Sequence, residues 1–253
     1  MSAPVPDAAP GGAGGRLDAA LPFLPALLAP CAVAVAALAE ARILLPVLAT
    51  LAVYPVLATL VLRGRHAAAA VATILWAVSL SVTVIALAAD EPESAGGLVI
   101  NGPAYRDEML AFIRTGRGVE GDPGRFIPQH LGHLGAFVVL SAVSGGLLGI
   151  ALGAILVSYM SYYVGALAAG PEPALAYALG WPPWAMLRVV AYILLGVALA
   201  RPVLGLAARR PIRLPHARLW YLAALSLLIL DVALKAALAP LWSVLLRPCL
   251  GAP

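Results

Sequence analysis

The stretch Leu131–Gly170, "LGHLGAFVVLSAVSGGLLGIALGAILVSYMSYYVGALAAG", runs for forty residues without an Asp, Glu, Lys or Arg. As one helix it would be ~60 Å long, about twice the ~30 Å hydrocarbon core of a bilayer. It is therefore either two short membrane spans or one span followed by chain lying at the interface. The aromatic residues favour the second reading. Tyr159, Tyr162 and Tyr163 gather near one end, and Tyr177, Trp181 and Trp184 precede the next apolar run. Tyr and Trp collect at headgroup depth, so the expected arrangement is a span over 134–158 and an interfacial connector over 159–184.

The flanking sequence has the same character. Hydrophobic residues make up 62% of the 253 positions and charged residues 11%, against about 25% charged in a soluble domain. Mean hydropathy is +0.96. A water-facing surface cannot be built from this composition, so the fold class is all-α, a polytopic transmembrane helix bundle. Apolar runs near 20–39, 43–62, 67–89, 134–158, 185–207 and 219–243 give about six spans, with seven as the alternative. Three would lie within 20–89 and three within 134–247. Pro22, Pro25, Pro30, Pro46 and Pro55 sit in the first two runs, and prolines are tolerated where neighbouring helices re-satisfy the freed carbonyls.

Residues 1–19 are rich in Pro, Gly and Ala, the composition of a disordered tail. Ala37-Leu38-Ala39 resembles a signal-peptidase site. The preceding segment is as long as a full span, however, and a retained first helix is expected. The charged loop 90–133 carries one helical signature. Tyr105, Met109, Phe112 and Ile113 follow i, i+4, i+7, i+8, predicting an amphipathic helix over 103–115 on the membrane surface or against the bundle mouth. Pro103 suits its first turn, Arg114 its last, and Gly116 and Gly118 its end.

Fifteen arginines and one lysine stand against twelve acids, nearly all in connectors. This is topology signalling rather than a nucleic-acid footprint. With six spans the connectors 40–42, 90–133 and 208–218 share the arginine-rich side, which places them in the cytoplasm and both termini outside. The compact turn "RGRH" at 63–66 conflicts with that orientation, and seven spans would reverse it. The localisation implied is the plasma membrane, of bacterial inner-membrane type. Cys31 and Cys249 lie far apart and form no disulfide framework or metal spacing.

Four groups of residues could carry chemistry. Asp231 lies midway along the last apolar run, and Lys235, the only lysine, follows four residues later. A charge at mid-membrane costs roughly 3 kcal/mol by insertion scales. On one helix face the two form either an internal ion pair that lets the helix insert or a proton- or ion-coupled site. His130 and His133 stand at helical spacing where the loop enters the apolar run, with Pro128 opening the helix. They read as headgroup-level imidazoles or as a gate that titrates near neutral pH. A divalent metal would need a further ligand such as Glu108; otherwise no cofactor is implied. Tyr163, in "SYMSYYVG", is a candidate for the pore mouth. Ser141, Gly145, Gly149 and Gly153 form a small-residue stripe suited to close helix packing, and the Gly145-Gly146 pair could act as a hinge.

P-loop, GxSxG and HExxH motifs are absent, and no reaction can be assigned. The function that fits best is a small transporter or permease component with a buried Asp/Lys site. A metal-dependent membrane enzyme at the His130/His133 mouth and a non-catalytic scaffold subunit are the alternatives. The bilayer is the one partner implied outright. A second copy of the chain or another membrane subunit fits the glycine stripe.

Overall fold

The computed structural model describes residues 19–251, and among them there is no strand. The expected tail lies outside the described residues except for Ala19, which is helical. A 3-10 turn at Leu21–Phe23 leads into α1 (Leu24–Leu38), followed by α2 (Leu44–Leu62) and α3 (His66–Asp90). Two shorter helices, α4 (Pro92–Leu98) and α5 (Gly102–Thr115), cross the central loop. Then come α6 (Pro123–Ser144), α7 (Leu147–Ala168), the short α8 (Pro173–Leu179), α9 (Pro183–Ala207) and α10 (Ala217–Leu245). Prolines stand in the first turns of α4, α5, α6, α8 and α9, where the missing N–H is one that a first turn leaves unpaired anyway.

Seven helices are long and apolar enough to cross a membrane, counting the leading 3-10 turn with α1. The chain is a multi-pass α-helical membrane protein. Five of the seven fall within two residues of the runs read from hydropathy. The departure is the stretch 131–170. It divides at Gly145 and Gly146 into two antiparallel helices, not one span with a connector. Both glycines are left-handed (φ +63° and +91°), so the chain reverses in two residues with no polar loop to mark the turn. The expected fourth span therefore starts eleven residues earlier, at Pro123. Pro128 is inside the helix and does not open it.

Two of the tyrosines that suggested an interface are interior instead. Tyr162 and Tyr163 are 1% and 0% exposed. Tyr162 donates to the Pro92 carbonyl (3.1 Å) and receives a hydrogen bond from Arg106 Nη1 (3.1 Å). The loop helices α4 and α5 cover this end of α7, giving the phenols protein partners where a headgroup layer was expected. The stripe of α5 meets the same surface, with Met109, Phe112 and Ile113 buried in a cluster with Tyr163, Val164 and Leu167.

Hydrogen bonds between connectors identify which of them share an end of the bundle. Arg42 Nε bonds the Gly97 carbonyl (2.9 Å) and Arg247 Nε that of Ile113 (3.4 Å). The 39–43 turn, the central loop and the C-terminal turn thus lie together. Arg210 Nη2 bonds the Leu62 carbonyl (2.7 Å), placing the 208–216 connector beside the 63–65 turn at the other end. The expected grouping of 208–218 with the central loop is thereby corrected. Arginines are divided nearly evenly between the ends, and their tally no longer selects both termini outside.

The small-residue stripe is likewise redistributed. Ser141 ends one helix, Gly145 forms the turn, and Gly149 and Gly153 begin the next. A Cβ on Gly149 would collide with Ser141 Oγ, so this glycine allows α6 and α7 to approach each other. A second close crossing meets backbone. A Cβ on Gly165 of α7 would lie 2.5 Å from the Ile85 carbonyl oxygen and 2.6 Å from Ala88 Cβ of α3. Backbone cannot yield as a flexible side chain can. Gly165→Ala is expected to cost about 1–3 kcal/mol, seen as a lower melting temperature in detergent; an unchanged value would contradict the crossing.

Candidate functional site

The polar centre is built on α10. Asp231 and Lys235 are each 1% exposed, although they occupy one face of an apolar helix. They are not each other's partners. Asp231 is held by Arg188 of α9 through two parallel bonds, Nε to Oδ2 at 2.8 Å and Nη2 to Oδ1 at 2.9 Å. Lys235 Nζ meets Glu120 Oε2 at 2.7 Å, from the 3-10 turn Val119–Gly121. The expected intrahelical pair is thus replaced by two bridges to other elements. A planar guanidinium matches a carboxylate with two bonds where an ammonium offers a point charge. The longer lysine reaches toward the loop instead, its ammonium 4.6 Å from the centre of the Phe126 ring.

Arg188 also faces a cavity between α3, α6, α7 and α9. The cavity has about 70 Å³ open to the centres of water-sized molecules, room for on the order of five waters. Helical spacing places the wall. Arg188, Tyr192 and Gly196 follow i, i+4, i+8 on α9, His133 and Phe137 follow i, i+4 on α6, and Gly149 and Gly153 do so on α7. Gly153 faces the open part of this space, since a Cβ there would meet nothing within 4 Å. Trp76 of α3 contributes an indole that is 3% exposed, and its Nε1–H has no partner among the described residues.

The histidines separate. His133 lines the cavity with Arg188. His130 is 9% exposed, lies 5.4 Å from the Phe126 ring centre, and its buried nitrogens have no hydrogen-bond partner among the described residues. Among the described residues no three His, Cys, Asp or Glu side chains come together as they would to hold a metal ion. Tyr163 is sealed beneath α5, edge-on to Tyr105 at 6.1 Å, away from the cavity wall.

Glu108 belongs to the loop side of the centre. Burial, and then the nearby Glu120 carboxylate, push its carboxyl above the ordinary range, against the opposing pull of Arg125 and Lys235. A carboxyl raised in the folded state contributes stability that is complete below its ordinary value and is lost as pH rises through the raised one. Melting temperature is therefore expected to fall as pH rises above about 4.5, and Glu108→Gln should flatten that part of the profile. An identical slope in the variant would assign the effect to another group.

The residues missed by sequence reading are Arg188 and Glu120. Arg188 lies five residues into α9 and reads as a helix-end charge. Its burial beside Asp231 is a tertiary fact, although an arginine within an apolar run is itself a functional signal. Glu120, in "RGVEGDPG", reads as a solvated loop acid.

Compared with known protein families, with curated proteins and with solved structures, the chain matches none of them.

Proposed function

We propose that the protein is a small transporter or permease component of a plasma (inner) membrane, with proton coupling through Asp231. The observation that carries this reading is that one partly buried guanidinium is shared between the Asp231 bridge and the cavity. A solute reaching Arg188 competes with or modifies that bridge. Release of the Asp231 carboxylate to take a proton then links solute and proton. Isolated structural ion pairs have no need of a cavity on one partner.

The environment of Arg188 bears on this coupling. Tyr105 of α5 and Glu120 of the loop turn act on it together with Asp231. His130 and His133 of α6 and Tyr159 of α7 feel its charge in turn, as does Tyr192 of its own helix. Lys235 of α10 completes the set. Of the helices around the cavity, α6, α7 and α9 each bring a titratable group within reach of Arg188.

The test uses proteoliposomes carrying an internal pH dye. Solute-dependent acidification is expected for the natural chain and is expected to be absent from the Arg188→Met/Asp231→Leu double variant, in which the charges are removed together. Undiminished flux in a folded double variant would refute the coupling.

A further inference from the structure

The geometry points to a short-chain monocarboxylate as the ligand of the α3–α6–α7–α9 cavity, its carboxylate received by the free edge of Arg188. This deepens the transporter reading, on which the ligand's role as substrate rests; the binding itself does not depend on it.

A guanidinium has five N–H donors in a plane and can serve two carboxylates on adjacent edges. Asp231 occupies the edge formed by Nε and Nη2. Nη1 has no protein partner among the described residues, and the Arg188 side chain keeps 18% exposure while lining the cavity. The second edge is therefore available on the cavity side. A planar anion with two oxygens fits it in the way Asp231 fits the first.

The remainder of the wall limits the ligand's body. Trp76, Phe137, Ile150 and Val189 make it apolar, and the volume admits only a few non-hydrogen atoms. One cation already shared with Asp231 is a poor match for a phosphate dianion, which needs more positive charge and more donors. A short alkyl chain is matched by the hydrocarbon wall. The added negative charge beside Asp231 is offset by the proton that the coupled mechanism brings in.

The probes are butyrate, butyramide and inorganic phosphate, titrated by calorimetry against the full chain in lipid nanodiscs. Butyrate is expected to saturate one site, with butyramide and phosphate at least tenfold weaker. Gly153→Leu fills the open space without touching any charge. It is expected to abolish butyrate binding with the melting temperature retained. Arg188→Met/Asp231→Leu should abolish binding too, at the other end of the cavity. Equal affinity for butyramide, preference for phosphate, no butyrate binding to the natural chain, or unchanged butyrate binding in a folded Gly153→Leu protein would each overturn the assignment. Butyrate binding without solute-linked proton flux would support the ligand while removing the transport reading. Flux of another solute without butyrate binding would do the reverse.

Discussion

Asp231→Leu is expected to lower the unfolding free energy by about 3–5 kcal/mol, the cost of leaving a buried charge without its partner. The size follows from the asymmetry of buried pairs. Desolvation of the Arg188 guanidinium was incurred on folding and is offset by two bonds of 2.8 and 2.9 Å. Removing the carboxylate keeps the first term and deletes the second. Removing both partners deletes both terms, and replacing a buried pair by apolar side chains of similar volume is often neutral. Arg188→Met/Asp231→Leu is therefore expected to recover most of the loss. Melting temperatures of the two single variants and the double one in the same detergent give the coupling directly. A double variant as unstable as the worse single one would show that the pair does not act as a unit.

The second large effect is asymmetric across the Lys235–Glu120 bridge. Glu120→Gln is expected to cost about 3 kcal/mol, because Lys235 is 1% exposed and its ammonium loses its counter-charge in place. Lys235→Met should cost less, about 1 kcal/mol. Methionine fills the lane beside Phe126, and Glu120, at 13% exposure, stands nearer to water. The bridge also ties the loop turn to α10. Glu120→Gln should consequently speed proteolytic cleavage near Arg117, while a surface change such as Arg114→Gln should not. Equal losses for the two substitutions would mean that the partners are equally desolvated, contrary to their burial.

The contrast between what the chain announces and what it conceals has a physical basis. Hydropathy follows local composition, so five long helices were readable to within two residues. The α5 stripe was readable because its period and its Pro and Gly boundaries are local as well. The turn at Gly145-Gly146 was hidden because it needs no charged residues, and belt reasoning misplaced Tyr162 and Tyr163 because protein covers them. Asp231 and Lys235 stood out as charges in an apolar helix. Their partners did not, because choosing Arg188 over a lysine four residues away depends on how α9 packs against α10. The cavity was invisible for the same reason. Gly153 of α7 and Gly196 of α9 come to one wall only when the two helices pack together.

The uncharged turn between α6 and α7 also bears on how the protein is made. Insertion machinery reads flanking arginines and lysines to fix which way a segment crosses, and this tip offers none. The two helices are expected to enter the bilayer as one unit, oriented by the charged loop before Pro123. The surfaces that hold the tip include Val203 and Ala200, where side chains on Gly145 and Gly146 would make close contact. Those residues belong to α9, which leaves the ribosome later. The α2 and α3 side of the hairpin is ready when it forms, through the Gly165 crossing and the bond from Tyr54 to the Gly145 carbonyl, so a chain truncated before α9 is expected to leave only the far side of the tip uncovered.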